Sequence, residues 1–393
     1  MSFDRFSTEF LYHKCFKDIF LLNYMNIGGV PYRTIWISKQ DNSIVRIIDQ
    51  RFLPYKFIIQ DLKTVDDIVR AIKEMQIRGA GLIGVTAGYG MYLATINSKK
   101  ENNPDIYIKE AAEKLKATRP TAINLSYAIE RQMGEIENEK NPQEKVKIAL
   151  KVAEDIANED IENCRRIGLH GLKIIKRLNK KKRGEVINIL THCNAGWLAF
   201  VDYGSALAPI YAAFDGGIKV HVWVDETRPR NQGARLTAWE LEQHGVPYTV
   251  IPDNTGGCLM QRGEVDLVIV GADRVTKRGD VINKIGTYLK ALAAYDNHVP
   301  FYVALPSTTF DWNIEDVSKI PIEERDSEEV NYIEGLCDNV IKKVLLTPKN
   351  SPAKNYGFDI TPAKLVTGLI TERGTCKALQ KKIQELFPEK FHN

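Results

Sequence analysis

The stretch Val186–Tyr203, VINILTHCNAGWLAFVDY, decides how this chain is read. Val186–Leu190 is a short β-branched run that stops on the polar residues Thr191, His192, Cys193 and Asn194; Gly196 then opens an apolar, helix-like segment through Tyr203 to Ala213. That is the profile of a buried parallel strand, a tight turn and a crossover helix. In open parallel sheets, ligands sit in the crevice beyond the carboxyl ends of the strands. A cysteine at that place faces the expected site, so Cys193 is the first candidate for chemistry. The competing reading is an inert buried thiol, the commonest fate of cysteine. Ahead of Asn194-Ala195-Gly196 at a helix start, the thiolate would be favoured by the helix dipole and by nearby cations.

Working outward, the same alternation continues downstream. Lys219–Val224, Tyr248–Ile251, Leu267–Val270 and Phe301–Leu305 are further strand-like runs, and Gln232–Gln243, Gly256–Arg262 and Gly286–Tyr295 read as helices between them. Strands and helices alternating at this spacing predict βαβ units with right-handed crossovers, an α/β fold built on a doubly wound parallel sheet. The tail from Trp312 to Ser351 reads as a loop followed by one strand, and Asp359-Ile360-Thr361-Pro362 as the start of a capped helix toward Thr371.

Upstream, the pattern is that of a smaller domain of short strands and helices. Ile27–Leu62 alternates as two or three antiparallel strands, and Thr64 is placed to cap a helix through Met75. Ile77–Ala94 is rich in small residues that let helices approach closely; Arg78 at its start, beside free helical N–H groups, suits a phosphate. Asn102–Ala117 and Ala122–Glu137 read as amphipathic helices, with Pro120 in the first turn of the second and Arg119 at its mouth. A long amphipathic helix is expected from about Glu144 to Ile175, either continuous or interrupted near Gly168–Gly171. The expected division is an N-terminal domain over 1–150 and a catalytic domain over 151–393.

The 54 Lys+Arg residues nearly balance the 50 Asp+Glu, and a formal charge of +4 gives no case for nucleic acid or a membrane surface. The basic run Lys173–Gly184 reads as a solvated helix end. Six cysteines (Cys15, Cys164, Cys193, Cys258, Cys337, Cys376) form no C-x-x-C pair, which points to a reducing, cytoplasmic setting. Neither a signal-peptide pattern nor an apolar run long enough to span a bilayer is visible, so a soluble protein is expected.

Each of the five predicted strands hands over to a polar cluster: Thr191–Asn194, Asp225–Pro229, Asp253–Gly257, Gly271–Arg274 and Pro306–Thr309. One such cluster is a capped turn; five on one sheet edge make a pocket. Gln232–Arg235 and Gly279–Lys284 add amides and cations. Gly79–Gly84 spells G-x-G-x-x-G but follows a predicted helix, so a dinucleotide site is not supported. Asp225, Asp253 and Asp273 lack the histidine spacing of a metal site, and no metal is expected. A thiol, an acid, amides and cations suit acid/base work on a small anionic substrate.

These residues also carry a resemblance to the methylthioribose-1-phosphate isomerase family, whose relatives include ribose-1,5-bisphosphate isomerases and regulatory subunits of eukaryotic initiation factor 2B. The similar stretches are IDQRFLP (Ile48–Pro54), IRGAGLIG (Ile77–Gly84), RPTAINL (Arg119–Leu125), THCNAG (Thr191–Gly196), VDETRPRNQGARLTAWEL (Val224–Leu241), VGADRV (Val270–Val275), GDVINKIGTY (Gly279–Tyr288) and FDITPAKLVTGLITERG (Phe358–Gly374). The resemblance implies a Rossmann-like C-terminal domain, a smaller N-terminal one, a homodimer, and neither metal nor organic cofactor. It puts the catalytic roles on Cys193 and Asp273, and substrate binding on Arg78, Gly79, Ala80, Arg119, Gln232, Asn283 and Lys284. THCN together with GADR sets the isomerases apart from the initiation-factor subunits, which generally lack that cysteine and aspartate. Two departures fall on Gly81-Leu82, where members usually have Pro-Ala, and on Tyr356-Gly357, where they usually have Pro-Ala.

The implied reaction opens an aldose 1-phosphate and moves its carbonyl to the second carbon. With the anomeric oxygen phosphorylated, an acid must assist at the ring oxygen, which assigns Asp273 a protonated state in a dry site. Cys193 then moves a proton between the first two carbons, or polarises the second hydroxyl during a hydride shift. The substrates to weigh are 5-methylthioribose 1-phosphate, 5-deoxyribose 1-phosphate and ribose 1,5-bisphosphate. The non-catalytic alternative is a regulatory subunit working through protein contacts.

Overall fold

The computed structural model describes residues 25–119, 122–314, 316–317 and 320–391. The placement of Pro120 in a first helical turn falls outside the described residues. A small hairpin, β1 (Asn26–Ile27) and β2 (Val30–Pro31), precedes an antiparallel sheet of β3 (Ile35–Ile37), β4 (Val45–Ile48) and β5 (Ile59–Leu62), with β4 central. Helix α1 (Val65–Lys73) starts as expected at Thr64, whose side chain and that of Asp67 cap each other's backbone N–H groups.

Helix α2 (Ala80–Asn97) is buried along nearly its whole length, which explains why it is apolar all round rather than amphipathic. Around it pack α1, α3 (Pro104–Lys116), α4 (Ile123–Ile136) and α5 (Pro142–Lys181). The close approaches fall on glycines: a Cβ on Gly84 would meet the Asn124 carbonyl of α4 at 2.8 Å. Of the two forms expected, the continuous one is found: there is no break near Gly168–Gly171, and α5 runs uninterrupted for 40 residues. Gly171 is there for contact, since a Cβ on it would meet the Pro209 ring at 2.3 Å. The N-terminal half of α5 faces α2 through Ala153 and Ile156, and the C-terminal half faces Pro209 and Ile370. Residues 150 and 151 both lie within this helix.

The second half builds the parallel sheet from β6 (Ile187–Thr191), β7 (Val220–Asp225), β8 (Tyr248–Ile251) and β9 (Leu267–Val270). Helices α6 (Ala208–Asp215), α7 (Ala238–His244) and α8 (Thr255–Gln261) connect them. Next come β10 (Arg274–Thr276), β11 (Val281–Lys284), α9 (Thr287–Asp296), β12 (Phe301–Ala304) and β13 (Phe310–Asp311). The short α10 (Glu328–Asn331) leads into β14 (Tyr332–Cys337) and β15 (Val340–Leu345). Last are β16 (Phe358–Thr361), β17 (Gly368–Thr371), β18 (Gly374–Cys376) and α11 (Gln380–Leu386).

The main sheet has the order β18-β17-β12-β9-β6-β7-β8, all parallel except the β18 edge. The chain enters at β6, winds to one edge through β7 and β8, and crosses back to β9 on the other side of β6. The two halves therefore part between β6 and β9, and the crevice at their carboxyl ends is the switch point where doubly wound sheets bind ligands. A second, four-stranded sheet, β13-β10-β11-β16, brings Asn283 and Lys284 of β11 to that end.

Three expectations for this half need correction. The predicted helix Gly196–Ala213 exists only from Ala208. Residues 196–207 are apolar because they are buried, and their backbone is satisfied without a helix. The Trp197 and Leu198 N–H groups donate to Glu240 at 3.0 and 2.9 Å, Val201 N–H to Asp160 at 2.8 Å, and Ser205 and Ala206 N–H to the Ala195 carbonyl. Only a three-residue turn, Trp197–Ala199, is helical there, so Cys193 does not stand at an α-helix N-terminus and the dipole argument lapses. Second, the tail holds a two-stranded hairpin rather than one strand. Asp338 and Asn339 turn it at φ of 52° and 60°, a conformation these short polar residues tolerate. Third, Asp359–Pro362 does not begin a helix: β16 pairs antiparallel with β11, and the Asp359 carboxylate accepts from Gly286 and Tyr288 N–H, capping α9 instead. No helix among the described residues is long and apolar enough to cross a membrane.

Candidate active site

Cys193 follows β6 and Asp273 follows β9, so the two candidates for chemistry come from the adjacent strands that flank the switch point. Arg78, Gly79 and Ala80 lead into α2, Arg119 lies between α3 and α4, Gln232 precedes α7, and Asn283 and Lys284 end β11. All nine residues line one cavity.

The cysteine is held in an unusual conformation. Cys193 has φ of 66°, and Thr227, beside it, also has φ of 66°. Such backbone costs about 1–3 kcal/mol per residue and persists where the surroundings over-determine it. Here Cys193 N–H donates to Thr227 Oγ1 at 2.8 Å, and the Thr237 hydroxyl donates to the Cys193 carbonyl at 2.7 Å. Asp253 in turn accepts from Thr227 and Arg228 N–H at 2.7 and 2.8 Å. The backbone of Cys193 is thus fixed at the cavity wall by a buried set of hydrogen bonds.

Arg78 is aimed by Asn194. Its guanidinium donates to Asn194 Oδ1 at 2.6 Å and to the Asn194 carbonyl at 2.7 Å. Asn194 Nδ2 donates to Glu240 Oε1 at 2.8 Å; because a guanidinium only donates, Arg78 fixes which way the amide points. Burial pushes the Arg78 guanidinium down from its ordinary value, opposed by the charges of Cys193 and Glu240. It pushes the Lys284 ammonium down as well, again opposed first by Cys193. Asp273 is pushed up by burial against the lowering pull of Arg119 and Arg274, which is the direction a proton donor needs. Gln232 Oε1 is buried at the cavity without a hydrogen-bond partner, an acceptor suited to a ligand hydroxyl. No side chain caps α2, whose entry residues Gly79 and Ala80 line the cavity beside Arg78.

Asp225 and Asp253 do come together with His192, their ligand atoms within 4.8 Å of one another, while Asp273 is not part of that group. His192 Nε2 lies 2.8 Å from the Ile285 carbonyl and so carries a hydrogen; Nδ1 is 2.8 Å from Asp225. Lys290 places its ammonium 3.1 Å from the same Asp225 oxygen, so that carboxylate already has a cation beside it.

Several wall residues escaped the sequence reading, among them one cation and one aromatic ring. Arg325 sits in the acid-rich run IEERDSEEV, which reads as a solvated loop, and Phe358 heads a segment read as a helix cap. The rings and charges meet here: Phe358 lies 5.3 Å from Lys284 Nζ and 6.0 Å from the Arg119 guanidinium carbon. Both sequence departures lie just behind residues of the cavity lining. A Cβ on Gly81 would meet the Phe200 ring at 2.3 Å, and Phe200 lines the cavity. Gly357 N–H donates to the Glu323 carbonyl at 2.8 Å, two residues from Arg325.

Residues 76–378 match the initiation factor 2 subunit family. The methylthioribose-1-phosphate isomerase of Desulfatibacillum aliphaticivorans is 56% identical over 368 residues, 93% of this chain and 100% of that protein. The protein of the same name from Paramagnetospirillum magneticum is also 56% identical, with the same shares covered. Among solved structures, 5-methylthioribose 1-phosphate isomerase from Pyrococcus horikoshii OT3 is 37% identical with a TM-score of 0.78, covering 91% of this chain and 96% of that one. Subunit delta of the translation initiation factor eIF-2B from A. fulgidus is 36% identical with a TM-score of 0.74, covering 91% and 99%. The chain belongs to the methylthioribose-1-phosphate isomerase family, within the wider initiation factor 2 subunit family.

Proposed function

We propose that this chain isomerises 5-methylthioribose 1-phosphate to 5-methylthioribulose 1-phosphate, with Cys193 and Asp273 as its acid/base pair. The observation that carries the reading is the convergence of Cys193 and Asp273 with Arg78, Arg119, Gln232, Asn283 and Lys284 on one cavity at the switch point. High identity to isomerases of that name supports the substrate. An apolar stretch of the wall, Met75, Ala80, Ala199 and Phe200, suits a methylthio group.

In this reading Asp273 is protonated in the free enzyme and gives its proton to the ring oxygen as the sugar opens. Cys193 then acts at the first two carbons, as the base of an enediol route or as the group that polarises the second hydroxyl in a hydride route. Arg78, Arg119 and Lys284 hold the phosphate with the entry of α2, while Gln232 and Asn283 take the sugar hydroxyls. The enzyme works as a homodimer in the cytoplasm without a metal or organic cofactor, and light scattering on the purified protein tests the dimer.

An NMR assay with 5-methylthioribose 1-phosphate, 5-deoxyribose 1-phosphate and ribose 1,5-bisphosphate tests the proposal. Fast conversion of the first to its ketose is expected. Preference for either of the others would move the substrate but keep the chemistry. Binding without turnover of any would favour the regulatory-subunit reading, which the 36% identity to an initiation-factor subunit keeps in view.

A further inference from the structure

We propose that Glu323 is a specificity-determining residue: its carboxylate is a built-in counter-ion that bridges two cations of the cavity, so that the site takes substrates with one phosphate group and discriminates against those with two. The inference rests on the sugar-phosphate reading above and says which members of that class are admitted.

Four cations line the cavity, Arg78, Arg119, Lys284 and Arg325, and they fall into two pairs. Arg78 is held by the Asn194 amide oxygen and carbonyl, and Lys284 faces the Phe358 ring; neither is ion-paired to a carboxylate among the described residues. The other two are joined by Glu323, which accepts from Arg119 Nη2 through Oε2 at 2.8 Å and from Arg325 Nη1 through Oε1 at 2.8 Å. Arg325 is matched again by Glu329, which accepts from its Nε at 3.0 Å and its Nη2 at 2.6 Å. Both acids stay ionised. Burial raises Glu323, but Arg119 and Arg325 outweigh it and hold it below the ordinary value; Glu329 is held down at about 2 by Arg325 and Arg230 against the same effect of burial.

The consequence is a charge count. One phosphate dianion balances Arg78 and Lys284 and can still reach the N–H groups of Arg119 that Glu323 leaves open. A second phosphate, carried at the far end of the sugar, would find no unmatched cation left in the cavity: Arg119 and Arg325 are already balanced by Glu323 and Glu329, and the wall there is the apolar stretch assigned to the methylthio group. Like charges brought together across a recognition surface lower affinity and suppress the wrong partner. The position is not a chance surface pair, since the three side chains are only 13%, 27% and 17% exposed. The segment is also tied down, because the Glu323 carbonyl accepts from Gly357 N–H and Arg325 N–H donates to the Asn355 carbonyl.

The test uses the full chain, wild type and the variants Glu323→Gln and Glu323→Asp. Steady-state kcat/KM is measured for 5-methylthioribose 1-phosphate and for ribose 1,5-bisphosphate, and binding of inorganic pyrophosphate and of inorganic phosphate by calorimetry. Glu323→Gln keeps the shape and removes the charge; it is expected to raise the bisphosphate-to-monophosphate ratio, and the pyrophosphate-to-phosphate affinity ratio, by roughly tenfold or more. Glu323→Asp, which keeps the charge, should hold both ratios near wild type. A pyrophosphate-to-phosphate ratio in Glu323→Gln within twofold of wild type, or an equal loss on both anions, overturns the inference. Calorimetry separates this outcome from failure of the isomerase reading: a wild type that turns over neither sugar while Glu323→Gln gains pyrophosphate affinity refutes the reaction and supports the counter-ion.

Discussion

The floor and the rim of the cavity are built by different means. The floor, around Cys193, is a strained loop at the carboxyl end of a central strand, fixed by short hydrogen bonds between Cys193 and Thr227 and Thr237, and between Asn194 and Glu240, in buried surroundings. The rim, around Glu323 and Arg325, is an excursion outside the main sheet, fixed chiefly by ion pairs that are partly open to water. Buried, directional hydrogen bonds pre-set a geometry and are little affected by salt, whereas ion pairs partly open to water set a charge balance that salt screens in part. The floor is therefore where reacting groups are aligned, and the rim is where the anion is chosen.

The largest expected effect breaks the floor at its reacting groups. Cys193→Ser and Asp273→Asn should each lower kcat by roughly 10²- to 10⁴-fold while the melting temperature stays near wild type. Near-full turnover in either variant removes that residue from the chemistry. Next comes alignment without chemistry. Thr227→Val removes the acceptor for Cys193 N–H and the donor to the Asp225 carbonyl at 3.0 Å. It should cost about 1–3 kcal/mol of stability by denaturant titration, and roughly tenfold in kcat/KM. A loss in KM alone would show that the thiol does not depend on this support.

Smaller effects belong to the rim. Raising salt from about 0.05 to 0.5 M should raise KM a few-fold and leave kcat almost steady, since screening reaches the rim first; a fall in kcat instead would dissolve the distinction between the two regions. The last effect concerns stability against pH. Asp160, Asp202 and Glu240, which hold the irregular segment under the floor, are each raised by burial from ordinary values of 3.8 to 4.5 to about 7. The folded chain then binds protons that the unfolded chain has released, so stability falls as pH rises from about 4 to 7 and levels off above. Denaturant midpoints at pH 5 and pH 8 check this, and Asp202→Asn should flatten the curve.

The contrast between the two regions also explains what could be read from the sequence. The strands β6 to β9 and β12 were visible because short apolar runs ending on polar clusters are a local signal, and the same clusters pointed at the cavity. All nine residues named for the site do line it, although the roles of Gly79, Ala80, Arg119, Gln232, Asn283 and Lys284 rested on resemblance. Residues 196–207 misled because burial makes an irregular segment look like a helix; its real partners, Asp160 and Glu240, lie some forty positions away. Arg325 was hidden for a related reason. Its neighbours in sequence are acids, and its place in the cavity follows from pairing with Glu323, which also holds Arg119, 204 positions upstream. Asp359 looks like the cap of its own helix and caps α9 instead, a choice that pairing of β16 with β11 imposes from outside the local sequence.

The most direct test is NMR-followed conversion of 5-methylthioribose 1-phosphate by the wild-type chain and by Cys193→Ser at equal concentration. Appearance of the ketose 1-phosphate with the wild type and its near absence with the folded variant is the predicted result. Equal conversion by both, or none by the wild type, would contradict the claim that the strained cysteine at the switch point does the chemistry.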